Sequence, residues 1–249
     1  MLSGIRALLL DISGVIYQGR QRIEGVAETL DKARQKGLTI RFVTNTASKS
    51  SEQIIRELRG MGISIDPQEL FTAPQAARDL IVERGLHPYC LLPDTIAAMF
   101  DCFVPEQADA VLLGDAREGL NFSTLNQAFR LCQSGAPLIA IGMNRYYMSD
   151  DGLQLDAGPF VKALEWAAGT EALVMGKPGR AFFLQAVAST GYQRHECLMV
   201  GDDVDADVLG ALNAGVPAVL VRTGKYRPED EAKLAPGSRV IDSLANLFD

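Results

Sequence analysis

Histidine is almost missing from this 249-residue sequence: His87, ahead of a proline, and His195, in a polar turn, are the whole supply. Two turn residues are poor material for an imidazole-built metal site or a Ser-His-Asp hydrolase. Cysteine is equally thin. Cys90, Cys102, Cys132 and Cys197 stand far apart with no Cys-x-x-Cys, so neither a zinc site nor a disulfide framework is suggested, and a reducing cytoplasmic setting fits best. No block of like charges occurs either. Acidic residues exceed basic ones by 31 to 24, a net charge of -7, which argues against nucleic acid or an anionic membrane as partner and for small substrates. The apolar run from Met1 to Leu10 lacks a small-residue cleavage site and is far too short to span a bilayer, so no membrane role is expected and the run reads as a buried strand.

What is present is an ample apolar content, 47% of residues, enough for one large or two modest domains. Apolar runs of strand length alternate with helix-period segments, the pattern of βα units feeding a parallel sheet. Strands are expected at Ala7–Ile12, Thr39–Val43, Ala172–Met175, Cys197–Val200 and Pro217–Val221. Amphipathic helices are expected over Val26–Lys36, which Gly37 ends, and from Ser50, where Ser50 and Gln53 have capping-box spacing and Ile54, Ile55 and Leu58 form the apolar stripe. A middle group, with strands at Tyr89–Leu92, Ala110–Leu113 and Leu138–Ile141 and a helix over Ser123–Gln133, looks inserted into the first domain. The fold class is α/β: a Rossmann-like core over 1–84 and 171–249, with a smaller inserted α/β cap over 85–170. Phe160 and Trp166 read as packing residues, and Arg145, Tyr146 and Tyr147 either line the cap's substrate side or pack its core.

Four apolar strands end in short polar clusters: Asp11-Ile12-Ser13-Gly14, Thr44-Asn45-Thr46, Gly176-Lys177-Pro178 and Gly201-Asp202-Asp203. Loops at the carboxyl ends of parallel strands share a crevice where ligands bind. Mg²⁺ needs few protein ligands beyond two carboxylates and a carbonyl, and Asp11 and Asp202 are the evident pair. Asp11 becomes a competent nucleophile toward a phosphate dianion once Mg²⁺ and Lys177 offset the charge. Thr44, Asn45 and turn N–H groups can hold the remaining phosphoryl oxygens.

The order and spacing of these residues resemble the haloacid dehalogenase superfamily, and nearly the whole chain is similar to its branch of phospholysine phosphohistidine inorganic pyrophosphate phosphatases and their close relatives. Further stretches carry the likeness: Arg41–Asn45, Asn126–Arg130, Gly142–Tyr147, Gly158–Phe160 and Thr223–Tyr226. The resemblance implies Asp11 as nucleophile, Thr44 and Lys177 as phosphate ligands, Asn45 as a substrate contact, and Asp11, Asp202 and the Ser13 carbonyl as Mg²⁺ ligands. It also implies a metal contact of an outer kind near Asp207, and Asp203 is a similar candidate, although acidic residues at a helix start also serve the helix dipole. A homodimer is a prior from the relatives alone.

One position departs from the superfamily pattern. Most of its phosphatases carry a second aspartate two residues after the nucleophile, to protonate the leaving group, and this chain has Ser13 there, as the named branch does. A serine hydroxyl is a poor acid, so leaving groups that depart unaided, such as those of pyrophosphate or phosphoramidates, are expected to be favoured. The alternative is a catalytically weak relative that serves as a phosphate-binding or interaction protein.

Overall fold

The structure is a computed structural model that describes residues 3–101, 107–149 and 152–249, with backbone alone for residues 147–149. Cys102 and the first two residues lie outside the described part. Two compact units divide the chain. The first holds residues 1–44, 51–71 and 182–249, and the second holds residues 45–50 and 72–181.

The first unit is built on a six-stranded sheet whose spatial order is Arg239–Ile241, Ala218–Val221, Cys197–Gly201, Ala7–Asp11, Thr39–Thr44, Leu70–Thr72. The pairings from the first of these through the fifth are parallel, with Leu8 opposite both Leu198 and Ile40. Every residue of Ala7–Asp11 and of Cys197–Gly201 is buried, which explains why these strands read as unbroken apolar runs rather than as alternation. From the central Ala7–Asp11 strand the chain builds outward to one side through Thr39–Thr44, and later to the other side through Cys197–Gly201. The strand order therefore reverses between Asp11 and Gly201. That is the switch point at which open α/β sheets form their ligand crevice.

The Val26–Gln35 helix buries Val26, Thr29, Leu30 and Ala33, an i, i+3, i+4, i+7 stripe, and the Ser51–Gly60 helix buries Ile54, Ile55 and Leu58. Their apolar faces join Leu8, Leu10, Phe42, Val200 and Val219 in one core.

The second unit has its own parallel sheet, ordered Leu173–Val174, Leu138–Ala140, Ala110–Leu113, Pro88–Leu91. Sequence grouped Ala172–Met175 with the core strands. Its apolar residues instead pair in parallel with Ile139 and Ala140, because a two-residue edge strand takes whichever neighbour is in reach. The helices Phe122–Gln133 and Ala157–Ala168 complete this unit, and Asn121 caps the former by accepting from the N–H groups of Ser123 and Thr124. Phe160 packs against this core, but Trp166 is 89% exposed. At 100° per residue, Trp166 lies 200° around the helix from buried Leu164, so apolar character misled where helical phase did not. Tyr146 is exposed as well, in the hairpin Tyr146–Ser149 with Gly152–Leu155. Among the described residues no helix is long and apolar enough to cross a membrane.

Candidate active site

The first unit's sheet delivers three side chains to its carboxyl edge. Asp11 ends one strand, Thr44 ends its neighbour, and Asp202 follows the strand on the other side. Asp207 joins them from the π-helical segment Val204–Leu209. Asp11, Asp202 and Asp207 bring carboxylate oxygens within 4.8 Å of one another, and they are only 7%, 1% and 1% exposed. Three negative charges buried that closely repel strongly, and a bound cation is the direct way to offset them. The donors are all oxygen, which suits a hard cation such as Mg²⁺ and not a thiolate- or imidazole-seeking metal. Asp207 thus stands inside the carboxylate trio, although sequence ranked it only with Asp203.

Asp202 is held from several sides. Its Oδ2 accepts the Lys225 N–H at 2.7 Å. Gly14 (φ 87°) and Gly224 (φ 64°) both approach so closely that a Cβ on either would collide with this carboxylate, and both need a backbone conformation that other residues seldom adopt. The Thr223 hydroxyl donates to the Gly14 carbonyl, joining the loop after Asp11 to the loop that holds Asp202. Thr223 and Lys225 were quoted in sequence as part of a resemblance without a role. Their signal was a Thr-Gly-Lys cluster just after an apolar strand.

Asp203 does something different. Its Oδ1 accepts the N–H groups of Asp205 at 3.1 Å and Ala206 at 2.9 Å, and its Oδ2 lies 3.2 Å from Lys225 Nζ. Burial pushes its carboxyl up, but the Ala206 N–H, the Lys225 charge and the Asp205 N–H outweigh that and hold it below the ordinary range. The Lys225 ammonium shifts upward, because the attraction of Asp203 and then of Asp202 and Asp207 exceeds the cost of burial. Asp203 also connects to the trio through its backbone N–H, which donates to Asp207 Oδ2 at 3.2 Å. It is a brace for the trio rather than a member of it. Asp205 is exposed and paired with Lys233 at 2.7 Å. The Ser13 side chain is exposed.

Asn45 and Lys177 belong to the second unit. Asn45 Nδ2 donates to the Lys177 carbonyl at 2.8 Å, and its Oδ1 accepts the Lys177 N–H at 2.7 Å. Both ends of the carboxamide are therefore engaged in fixing the backbone of a buried lysine, where the resemblance implied a contact to substrate.

A sequence model described as haloacid dehalogenase-like hydrolase matches residues 8–103, and one described as HAD-hydrolase-like matches residues 174–247. The bovine (Bos taurus) haloacid dehalogenase-like hydrolase domain-containing protein 2 is 42% identical, covering 93% of this chain and 90% of its own. Human (Homo sapiens) phospholysine phosphohistidine inorganic pyrophosphate phosphatase is 40% identical, covering 100% and 94%. Among solved structures, a 4-nitrophenylphosphatase from Thermotoga maritima superposes with a TM-score of 0.84 at 25% identity over 99% of this chain and 97% of its own. A p-nitrophenyl phosphatase from Archaeoglobus fulgidus does so with a TM-score of 0.84 at 26% identity, over 98% of each chain. With a carboxylate trio at the switch point of a parallel sheet and relatives this similar over nearly its whole length, the chain belongs to the haloacid dehalogenase-like hydrolases, among their phosphatases.

Proposed function

We propose that this protein is a Mg²⁺-dependent phosphatase of small phosphorylated compounds, pyrophosphate or phosphoramidates among them, working through a phosphorylated Asp11. The observation that carries this reading is the buried trio Asp11, Asp202 and Asp207. Asp11, Asp202 and the Ser13 carbonyl would hold the ion, with Asp207 beside them. When bound, Mg²⁺ offsets the charge between carboxylate and phosphate and polarises the phosphoryl group. A carboxylate oxygen of Asp11 attacks phosphorus, and the bond from phosphorus to the leaving group breaks with its electron pair going to the leaving atom. Water then attacks the same phosphorus, the bond to Asp11 breaks, the carboxylate is restored, and a proton passes to solvent. Lys177 and Thr44 bind phosphoryl oxygens, Lys177 from a backbone that Asn45 keeps in place. Ser13 offers no carboxylic acid, so a leaving group already protonated, or stable as an anion, suits this site. Free thiols at Cys90, Cys132 and Cys197 support a place in the reducing cytoplasm.

The test is Asp11→Asn, which keeps the shape of the side chain and removes the nucleophilic anion. Phosphate release is expected to fall by at least about 10³-fold, given what loss of a covalent nucleophile costs. Acid-quenched wild-type enzyme should carry phosphate on Asp11 by mass spectrometry. Release by the variant near the wild-type rate would end the covalent mechanism. The exposed Ser13 in place of an acid favours a second reading, a catalytically weak phosphate-binding relative. That reading requires para-nitrophenyl phosphate to be left intact with and without Mg²⁺.

A further inference from the structure

Within the first unit, the segment after the Ala218–Val221 strand meets the carboxylate trio at Lys225, and it does so twice. The Lys225 backbone N–H donates to Asp202 Oδ2 at 2.7 Å. Its ammonium lies 3.2 Å from Asp203 Oδ2, and the Asp203 N–H in turn donates to Asp207 Oδ2 at 3.2 Å. By its backbone Lys225 touches one member of the trio, and by its side chain it reaches another through Asp203.

The ion pair is open to water, with the Lys225 side chain 71% and the Asp203 side chain 27% exposed, so it adds little as a bond. What the lysine brings is charge. Its ammonium is drawn by Asp203 and then by Asp202 and Asp207, two of the three carboxylates that crowd together. A positive charge there offsets part of their mutual repulsion when no metal is bound, and it repels a divalent cation that arrives. Asp203 acts in the opposite sense, because its charge adds to that of the trio. Its Oδ1 meanwhile caps the Val204–Leu209 segment by accepting the N–H groups of Asp205 and Ala206.

Resting on the Mg²⁺-dependent reading above, we infer that Lys225 is a built-in counter-charge of the metal site: it lowers the affinity of the trio for Mg²⁺ and steadies the metal-free carboxylates. It acts through Asp202 and Asp203 and is a positioning residue.

Calorimetry of Mg²⁺ binding to the whole chain tests this in three variants. Lys225→Met keeps the backbone N–H on Asp202 and removes the charge, and the Kd for Mg²⁺ is expected to fall by about fivefold, the scale of one exposed charge acting on a divalent ion. Asp203→Asn removes the opposing charge and keeps a side chain able to cap the segment, so Kd is expected to rise by a similar factor. Lys225→Arg keeps the charge and is expected to stay within about twofold of wild type. A structural latch behaves otherwise: Lys225→Met and Asp203→Asn break the same ion pair, so both would weaken binding. Shifts in one direction for these two, an unchanged Kd in Lys225→Met, or an arginine that behaves like the methionine overturns the inference. Thermal unfolding gives a second readout. Metal-free Lys225→Met is expected to unfold at a lower temperature than metal-free wild type, and saturating Mg²⁺ should close the gap. A deficit that persists with Mg²⁺ overturns the inference. Wild-type turnover of para-nitrophenyl phosphate with Mg²⁺ tests the phosphatase reading separately, since calorimetry needs no substrate. A wild type that binds no Mg²⁺ overturns the inference together with the metal part of that reading.

Discussion

Asp11, Asp202 and Asp207 in the first unit are nearly shut off from water and face one another, whereas Asp115 and Asp156 in the second unit stand half-buried beside a cavity, one paired with Arg117 and the other capping a helix. The same side chain thus serves two purposes, and burial separates them. Deep burial makes the repulsion within the first group large, and a cation is the direct way to offset it. Partial burial keeps the second group's field modest. The supports differ in the same way. Asp202 is clamped by Gly14, Gly224 and the Lys225 N–H, while Asp156 rests on a single helix N–H.

If chemistry depends on the deeply buried charges and their counter-charges, removing one should cost far more than any change at the cavity. Lys177→Ala is expected to lower kcat by about 10² to 10³-fold, as loss of one preorganised charge contact does. Lys177→Arg should recover little of it, since a planar guanidinium does not replace a compact ammonium. Full recovery by arginine in steady-state assays would mean that only a diffuse positive field is needed, and would blur the distinction between the two regions.

Asp202→Ala should raise the Mg²⁺ concentration for half-maximal activity by about 10 to 100-fold, and calorimetry of Mg²⁺ binding should show the same loss. An unchanged dependence moves the metal elsewhere. A smaller effect is expected for Thr44→Val, where one hydrogen bond worth about 1 kcal/mol is removed and kcat/KM drops several-fold. A larger loss than in Lys177→Ala would invert the ranking of these two proposed phosphate contacts.

The parallel sheets were legible because strands buried on both faces must be continuously apolar, as Leu8 to Leu10 and Leu198 to Val200 are. Asp11, Thr44, Lys177 and Asp202 stood out because each directly follows or ends such a run, and the structure brings Asp11 and Asp202 together with Asp207. Other features were not. Asp207 sits among Asp203 and Asp205, where the resemblance pointed to it only as an outer contact beside Asp203, and the π-helical segment is what brings its carboxylate to Asp11 and Asp202. Asp115, Arg117 and Asp156 are split by about forty residues, and no pattern links the first two to the third. Trp166 carried an apolar signal that its place on the helix overruled.

The sequence by itself determined the alternation of strands and helices, the polar clusters after the strands, and the replacement of an acid by Ser13, since each is a local property set by side-chain type and spacing. Only the tertiary structure decided which carboxylates share a charge problem, that Asn45 holds the Lys177 backbone, and which sheet Leu173 and Val174 join. Those outcomes depend on distances between residues far apart in the chain. Electrostatic repulsion and hydrogen bonding act through such distances, and linear spacing does not record them.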